Sequence, residues 1–218
     1  MPFLLLSLFL ATTAHPAPLP LVEVPATSGR SDTIVVFVSG DGGWARIDQS
    51  ISRVLAGKGM PVVGLNSLQY FWTKRSPEGA SRDLQSIIET HLEKSGKSRV
   101  VLVGYSRGAD VLPAMTSRLP ADLRSRIRLI ALLAPSTTVE FEFHVVDWLH
   151  DRRGGLPIKP EVAKLAPHHV LCVWGEDDKD SLCSGLTGAG VQVVTLRGSH
   201  HFDGGYEKLA AIILGALQ

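Results

Sequence analysis

The sequence predicts a single α/β domain, in which a mostly parallel sheet is covered by helices on both faces and any cap is small or minimal. Three observations predict it. From Thr33 onward, short β-branched and aliphatic runs alternate with stretches whose apolar residues recur at helical spacing. The runs are nearly continuous in apolar residues, as strands covered on both faces must be. The length of 218 residues suits one core, which would bury roughly 70% of the unfolded chain's surface. A hydrophobic content of 44% against 20% charged residues belongs to an ordinary globular protein.

The elements follow in order. Met1 to Leu10 is a short apolar run, followed by the small residues Thr12-Thr13-Ala14 and the Pro-rich His15–Pro20. A run of about 10 apolar residues is too short to span a bilayer but fits the core of a secretory signal, although no Lys or Arg precedes it. Residues 1–20 are therefore expected to be a signal peptide and leader, and 21–218 the domain. Thr33-Ile34-Val35-Val36-Phe37-Val38 reads as the first core strand. Trp44, Ile47, Ile51, Val54 and Leu55 then mark a helix stopped by Gly57 and Gly59. Pro61–Leu65 is a second strand. Ser76-Pro77 offers an N-cap with proline at the first helical position, and Ala80, Leu84, Ile87, Ile88 and Leu92 form the stripe behind it, ended by Gly96. Arg99–Gly104, Leu129–Leu133, Val170–Trp174 and Val191–Leu196 are further strands, and Leu209, Ile212, Ile213 and Leu217 lie on a closing helix. Thr137 to Pro167 breaks the rhythm, and an extra strand followed by a small cap is expected there.

Several function classes are disfavoured at once. The formal net charge is +1 and Lys and Arg are scattered, so no basic stripe offers itself to nucleic acid. No C-x-x-C pair or His/Cys cluster at ligand spacing is present, so neither metal nor cofactor is expected. Cys172 and Cys183 are either two reduced core thiols or, in an oxidising compartment, one disulfide.

The chemistry is carried by Gly104-Tyr105-Ser106-Arg107-Gly108, which follows a strand and opens a helix. G-x-S-x-G in that context forms a tight elbow: the glycines relieve crowding and the serine stands exposed at the carboxyl edge of the sheet. A serine hydroxyl is hardly ionised near neutral pH and needs a base. In the α/β-hydrolase fold the partners come in the order Ser, acid, His, at the ends of later strands. Gly175-Glu176-Asp177-Asp178 follows one such strand and Gly198-Ser199-His200-His201-Phe202 the next. Ser106, Asp178 and His200 are thus the candidate nucleophile, acid and base. Glu176 and Asp177 compete for the acid's place, and His201 for the base's. If the disulfide forms, it brackets the acid loop and would hold that carboxylate.

Ser39-Gly40-Asp41-Gly42-Gly43-Trp44 follows the first core strand. Acyl transfer builds a negative oxygen that preorganised donors must meet, and by position the backbone N–H groups of Asp41 and Arg107 form that oxyanion hole. No Walker lysine or G-x-G-x-x-G accompanies these glycines, which argues against a phosphate cradle. Asp110, on the first turns of the elbow helix, favours its N-terminal dipole. Lys74 and Arg75, beside Tyr70-Phe71-Trp72, are either contacts for an anionic head group or a solvated rim.

With these residues in view, the chain resembles the VirJ/AcvB family of bacterial virulence proteins, α/β-hydrolases of the periplasm. The resemblance runs from about Thr33 to the end and rests on Ser39–Trp44, Tyr70–Trp72, Gly104–Asp110, Cys172 through Cys183 and His200–Gly204. It looks like the short, VirJ-like form. The resemblance implies hydrolysis of lysyl-phosphatidylglycerol, a membrane phospholipid, with a link to envelope homeostasis and virulence. Glu140, Glu142 and Asp147 are then candidates to meet the lysyl ammonium groups, and Phe141, Phe143 and Trp148 the acyl chains. Two other readings stand beside it: a small-ester hydrolase of dienelactone type, and a non-catalytic adaptor for secreted or secretion-system proteins.

Overall fold

In the computed structural model, residues 18–142, 155–188 and 190–218 are described. Among the described residues are nine strands and seven α-helices: β1 (Leu21–Val24), β2 (Thr33–Val38), α1 (Arg46–Ala56), β3 (Val62–Leu65), α2 (Ser67–Tyr70), α3 (Pro77–Ser95), β4 (Arg99–Tyr105), α4 (Arg107–Ser117), α5 (Ala121–Arg124), β5 (Ile127–Leu133), β6 (Thr138–Val139), β7 (Leu156–Pro157), α6 (Ile158–Ala163), β8 (Val170–Gly175), β9 (Val191–Leu196) and α7 (Tyr206–Gly215). The main sheet has seven strands in the order β1-β3-β2-β4-β5-β8-β9. All neighbours are parallel except β1, which runs antiparallel to β3 at the edge.

The unbroken apolar reading of β2 has its cause in the layers. Ile34, Val36 and Val38 pack against α3 and α4 on one face, and Val35 and Phe37 against α1 and α7 on the other. Each strand therefore serves two cores, and polar alternation has no place in it. Helix α3 begins and ends where its sequence says: the Ser76 side chain accepts from the Gly79 N–H at 3.0 Å, Pro77 is the first helical residue, and Gly96 closes the helix in the left-handed region at φ 65°.

Three departures from the sequence reading have local reasons. Helix α1 starts at Arg46, so Trp44 lies before it, edge-on to Phe37 at a 5.7 Å centroid distance. Leu19 packs against the core and the Pro20 carbonyl accepts from the Asn66 N–H at 3.0 Å, so the packed body includes two residues assigned to the leader. Residues 1–17 of the leader lie outside the described residues. The extra strand expected after Thr137 is only the two-residue β6, paired with β7 apart from the main sheet, and helix α6 follows. Glu161 of α6 fastens that region to α4 through Arg118 Nη1 at 2.8 Å and Ser117 Oγ at 3.0 Å. Among the described residues, no helix is long and apolar enough to cross a membrane.

One buried carboxyl gives a pH-dependent prediction. Asp48, in the first turn of α1, is fully buried; its Oδ2 accepts from the Ala45 N–H at 2.8 Å, and its Oδ1 has no partner among the described residues. Burial pushes its pKa up to about 7, more than the Ala45 hydrogen bond can offset. The folded form therefore keeps a proton that the unfolded chain releases near pH 4, so this stability is full below about pH 4 and is lost as pH rises through about 7. Asp48→Asn is expected to change stability little at pH 4 and to raise it by about 2 kcal/mol at pH 8, read by urea unfolding. Equal losses at both pH values would contradict this.

Candidate active site

Ser106 sits between β4 and α4 with φ 51° and ψ −120°, a conformation that a non-glycine residue adopts only when its surroundings enforce it. They do. Its N–H donates to the Leu133 carbonyl at 2.9 Å, which pins the turn to the end of β5. A side chain on Gly104 would stand 2.5 Å from the Gly108 carbonyl, and one on Gly108 would stand 1.9 Å from the Val38 carbonyl oxygen. Only glycine at both positions lets the turn close this tightly.

The ends of β8 and β9 are laced together beside it. The Glu176 N–H donates to Leu196 at 2.8 Å and the Asp177 N–H to Gly198 at 3.1 Å, while Asp178 turns back onto Gly175 at 2.9 Å. Gly175 has no room for a side chain, because a Cβ there would lie 2.4 Å from the Gly198 and Ser199 oxygens. This lacing leaves Glu176 and Asp177 exposed and turns Asp178 inward. Asp178 Oδ2 lies 2.8 Å from His200 Nδ1, and His200 Nε2 lies 2.8 Å from Ser106 Oγ. A carboxylate at Nδ1 favours the proton there, which leaves the Nε2 lone pair facing the hydroxyl. The structure thus brings Ser106, His200 and Asp178 into one line, with Glu176, Asp177 and His201 outside it.

His201 has a different partner. Its Nδ1 is 2.7 Å from the Tyr105 hydroxyl, which also reaches the His200 carbonyl at 3.4 Å. Burial, with smaller contributions from Tyr206, Asp48, Asp178 and Asp41, pushes the Tyr105 hydroxyl well above the usual phenol range, so it stays protonated and ties both histidines to the elbow. Sequence reasoning missed Tyr105; its only signal is the place next to the serine.

Gly40 abuts the elbow, since a Cβ on it would lie 3.4 Å from Ser106 Cβ. That places the Gly40–Asp41 backbone beside the serine, with Gly43 closing the turn onto the Gly40 carbonyl at 3.0 Å. The Arg107 side chain, 5% exposed, pairs through Nε with Asp41 Oδ1. Its Nη1 donates to the Glu140 and Glu142 carbonyls at 2.9 and 3.0 Å. The sequence singled out only the backbone of Arg107; the reach of its side chain is a tertiary fact.

The remaining candidates fall as follows. Cys172 of β8 and Cys183 form a disulfide with a Cα–Cα distance of 5.6 Å, which brackets the Asp178 loop and sets aside the reduced-thiol alternative. Asp110 lies in the first turn of α4, as its dipole reading requires, and its Oδ1 also accepts from the Ser136 N–H at 2.6 Å. Phe141 is corrected: it is 8% exposed and packs edge-on to Phe71 at 5.9 Å, so it belongs to the core and not to an acyl-chain groove. Glu142 Oε2 lies 3.6 Å from the exposed Lys74 Nζ, and Arg75 stacks over the Tyr70 ring at 4.7 Å. Phe143, Asp147 and Trp148 lie outside the described residues.

Sheet order, elbow and loop placement define an α/β-hydrolase fold. The chain is similar to an alpha-beta serine hydrolase homologue from Coxiella burnetii (14% identity, TM-score 0.63, 91% of each chain covered). It is also similar to Est1E from Butyrivibrio proteoclasticus (13% identity, TM-score 0.65, 93% of this chain and 97% of that one). A stretch of 71 residues is 35% identical to Lipase member M of Mus musculus, spanning 33% of this chain but only 17% of that protein's length. Within this fold class the chain belongs to the VirJ family, whose model, described as bacterial virulence protein (VirJ), matches residues 32–218.

Proposed function

We propose that this protein is an exported serine ester hydrolase that acts through an acyl-enzyme on Ser106, with an aminoacyl-phospholipid, lysyl-phosphatidylglycerol, as substrate. The observation that carries it is the Asp178–His200–Ser106 line at 2.8 Å per step, with the serine on a strained elbow. His200 Nε2 takes the hydroxyl proton as Oγ attacks the lysyl ester carbonyl, and the N–H groups of Asp41 and Arg107 meet the oxyanion. His200 then protonates the departing glycerol oxygen, which releases phosphatidylglycerol. A water, activated by the same imidazole, frees lysine from Ser106. Asp178 stabilises the imidazolium in both halves.

Membership of the VirJ family supports the virulence link, and the lipid substrate is what the resemblance of the sequence implies. An ester whose α-carbon bears an ammonium group is also activated toward attack. The disulfide and the apolar N-terminal run support export to the periplasm, an oxidising compartment. Glu140 and Glu142, whose backbone carbonyls accept from Arg107, are the acids proposed to meet the lysyl ammonium groups.

Incubation of the purified protein with bacterial lipid extracts, beside short nitrophenyl esters, tests the reading. It expects lysine and phosphatidylglycerol from wild type and neither from Ser106→Ala. Turnover of the nitrophenyl esters alone would favour a small-ester hydrolase, and no turnover of either the adaptor. Charge reversal, Glu140→Lys with Glu142→Lys, should raise KM for the lysyl lipid about tenfold and leave a neutral ester unaffected; an unchanged lipid KM refutes the acidic contact. Cys183→Ala is expected to cost about 2.5–3 kcal/mol in urea unfolding and to lower kcat as the Asp178 loop loosens. An unchanged kcat under oxidising conditions would leave the disulfide no part in positioning.

A further inference from the structure

We propose that the Arg107 side chain is a positioning residue that clamps the loop carrying Asp41 to the nucleophile elbow, fixing the spacing of the two backbone oxyanion donors. The inference rests on the hydrolase reading above and extends it to a side chain that reading does not use.

The two donors belong to Asp41 and Arg107, which lie 66 residues apart at the ends of different strands, β2 and β4. Asp41 stands in a turn flanked by Gly40, Gly42 and Gly43, a backbone with little conformational preference of its own. Donors stabilise an oxyanion only when each is held about 2.7–3.1 Å from it, so a turn of this composition needs an outside tie. Arg107 supplies it: the side chains of the two donor residues pair with each other, inside the protein. The same guanidinium uses Nη1 on the Glu140 and Glu142 carbonyls, and the Arg75 N–H holds the intervening Phe141 carbonyl at 2.8 Å. Elbow, oxyanion turn and the 140–142 segment therefore meet on one rigid fork. A lysine has the charge but cannot span these directions from a single nitrogen.

The test compares wild type with Arg107→Met, Arg107→Lys, Asp41→Ala and the Arg107→Met/Asp41→Ala double variant. It reads kcat and KM for a short nitrophenyl ester and the affinity of an aryl boronic acid, whose serine adduct carries the tetrahedral anion. Arg107→Met is expected to lower kcat about 10²-fold with KM little changed, and boronate affinity should fall in step. Lysine should not rescue, and the double variant should lose no more than the worse single one. Should Arg107→Met fail to fold, Asp41→Ala tests the same contact from its more exposed side. Multiplicative losses in the double variant, rescue by lysine, or loss in KM with boronate affinity intact would overturn the clamp. A wild-type enzyme that turns over no ester would instead overturn the hydrolase reading beneath it.

Discussion

Alanine at His200 is expected to lower kcat for ester hydrolysis by about 10⁵-fold or more, whereas alanine at His201 should cost no more than about tenfold. The two residues are neighbours in the chain, yet their bonds differ. His200 Nε2 faces Ser106 Oγ at 2.8 Å and its Nδ1 faces Asp178, so removing the ring leaves the hydroxyl with no acceptor. His201 lies edge-on to the His200 ring at 5.6 Å and meets the Tyr105 hydroxyl, which keeps its contact to the His200 carbonyl without it. Because nucleophile and base act as a unit, adding Ser106→Ala to His200→Ala should lower kcat little further. Steady-state kinetics on a nitrophenyl ester decides the matter, and the reverse ranking of the two histidines would contradict the assignment.

Gly108→Ala carries the largest expected effect on stability. The added methyl carbon would lie 1.9 Å from the Val38 oxygen, 2.6 Å from its carbonyl carbon and 2.8 Å from the Ser39 oxygen. All three are backbone atoms at the end of a fully buried strand, so no side chain can swing aside. The helix must back away from the sheet, at a cost of about 3 kcal/mol or more, and Ser106 moves with it. Gly96→Ala is the matched control. It strains a left-handed residue at φ 65° but meets nothing within 4 Å, and should cost about 1 kcal/mol with activity kept. Similar urea midpoints for the two variants would show that the close approach at Gly108 is not what holds the elbow.

Much of this arrangement is written locally. The run Thr33–Val38 announces a doubly covered strand because each residue faces one of two cores. Ser76-Pro77 and Gly96 announce the ends of α3 because capping is a contact within a few residues. The order Ser106, Asp178, His200 was legible as chain order at strand ends. The G-x-x-D spacing from Gly175 already favours Asp178 over its two acidic neighbours; what the sequence does not show is that Glu176 and Asp177 are stitched to Leu196 and Gly198, a pairing between separate loops. Strand β1 escaped notice because four residues at a sheet edge, Glu23 among them facing Lys94, give hardly any alternation. The span from Thr137 to Pro167 was opaque for a related reason. Its described parts are held by Arg107, Arg75 and Arg118, all distant in sequence, and carry little periodic signal of their own.

The central claim is that Ser106 is a nucleophile with a base already in place. Treatment of the folded protein with a fluorophosphonate, followed by intact mass and peptide mapping, tests it most directly. One adduct per chain on the Ser106 peptide, absent in Ser106→Ala and in His200→Ala, is the expected result. A wild-type protein that stays unmodified, or carries its adduct on another residue, would contradict it.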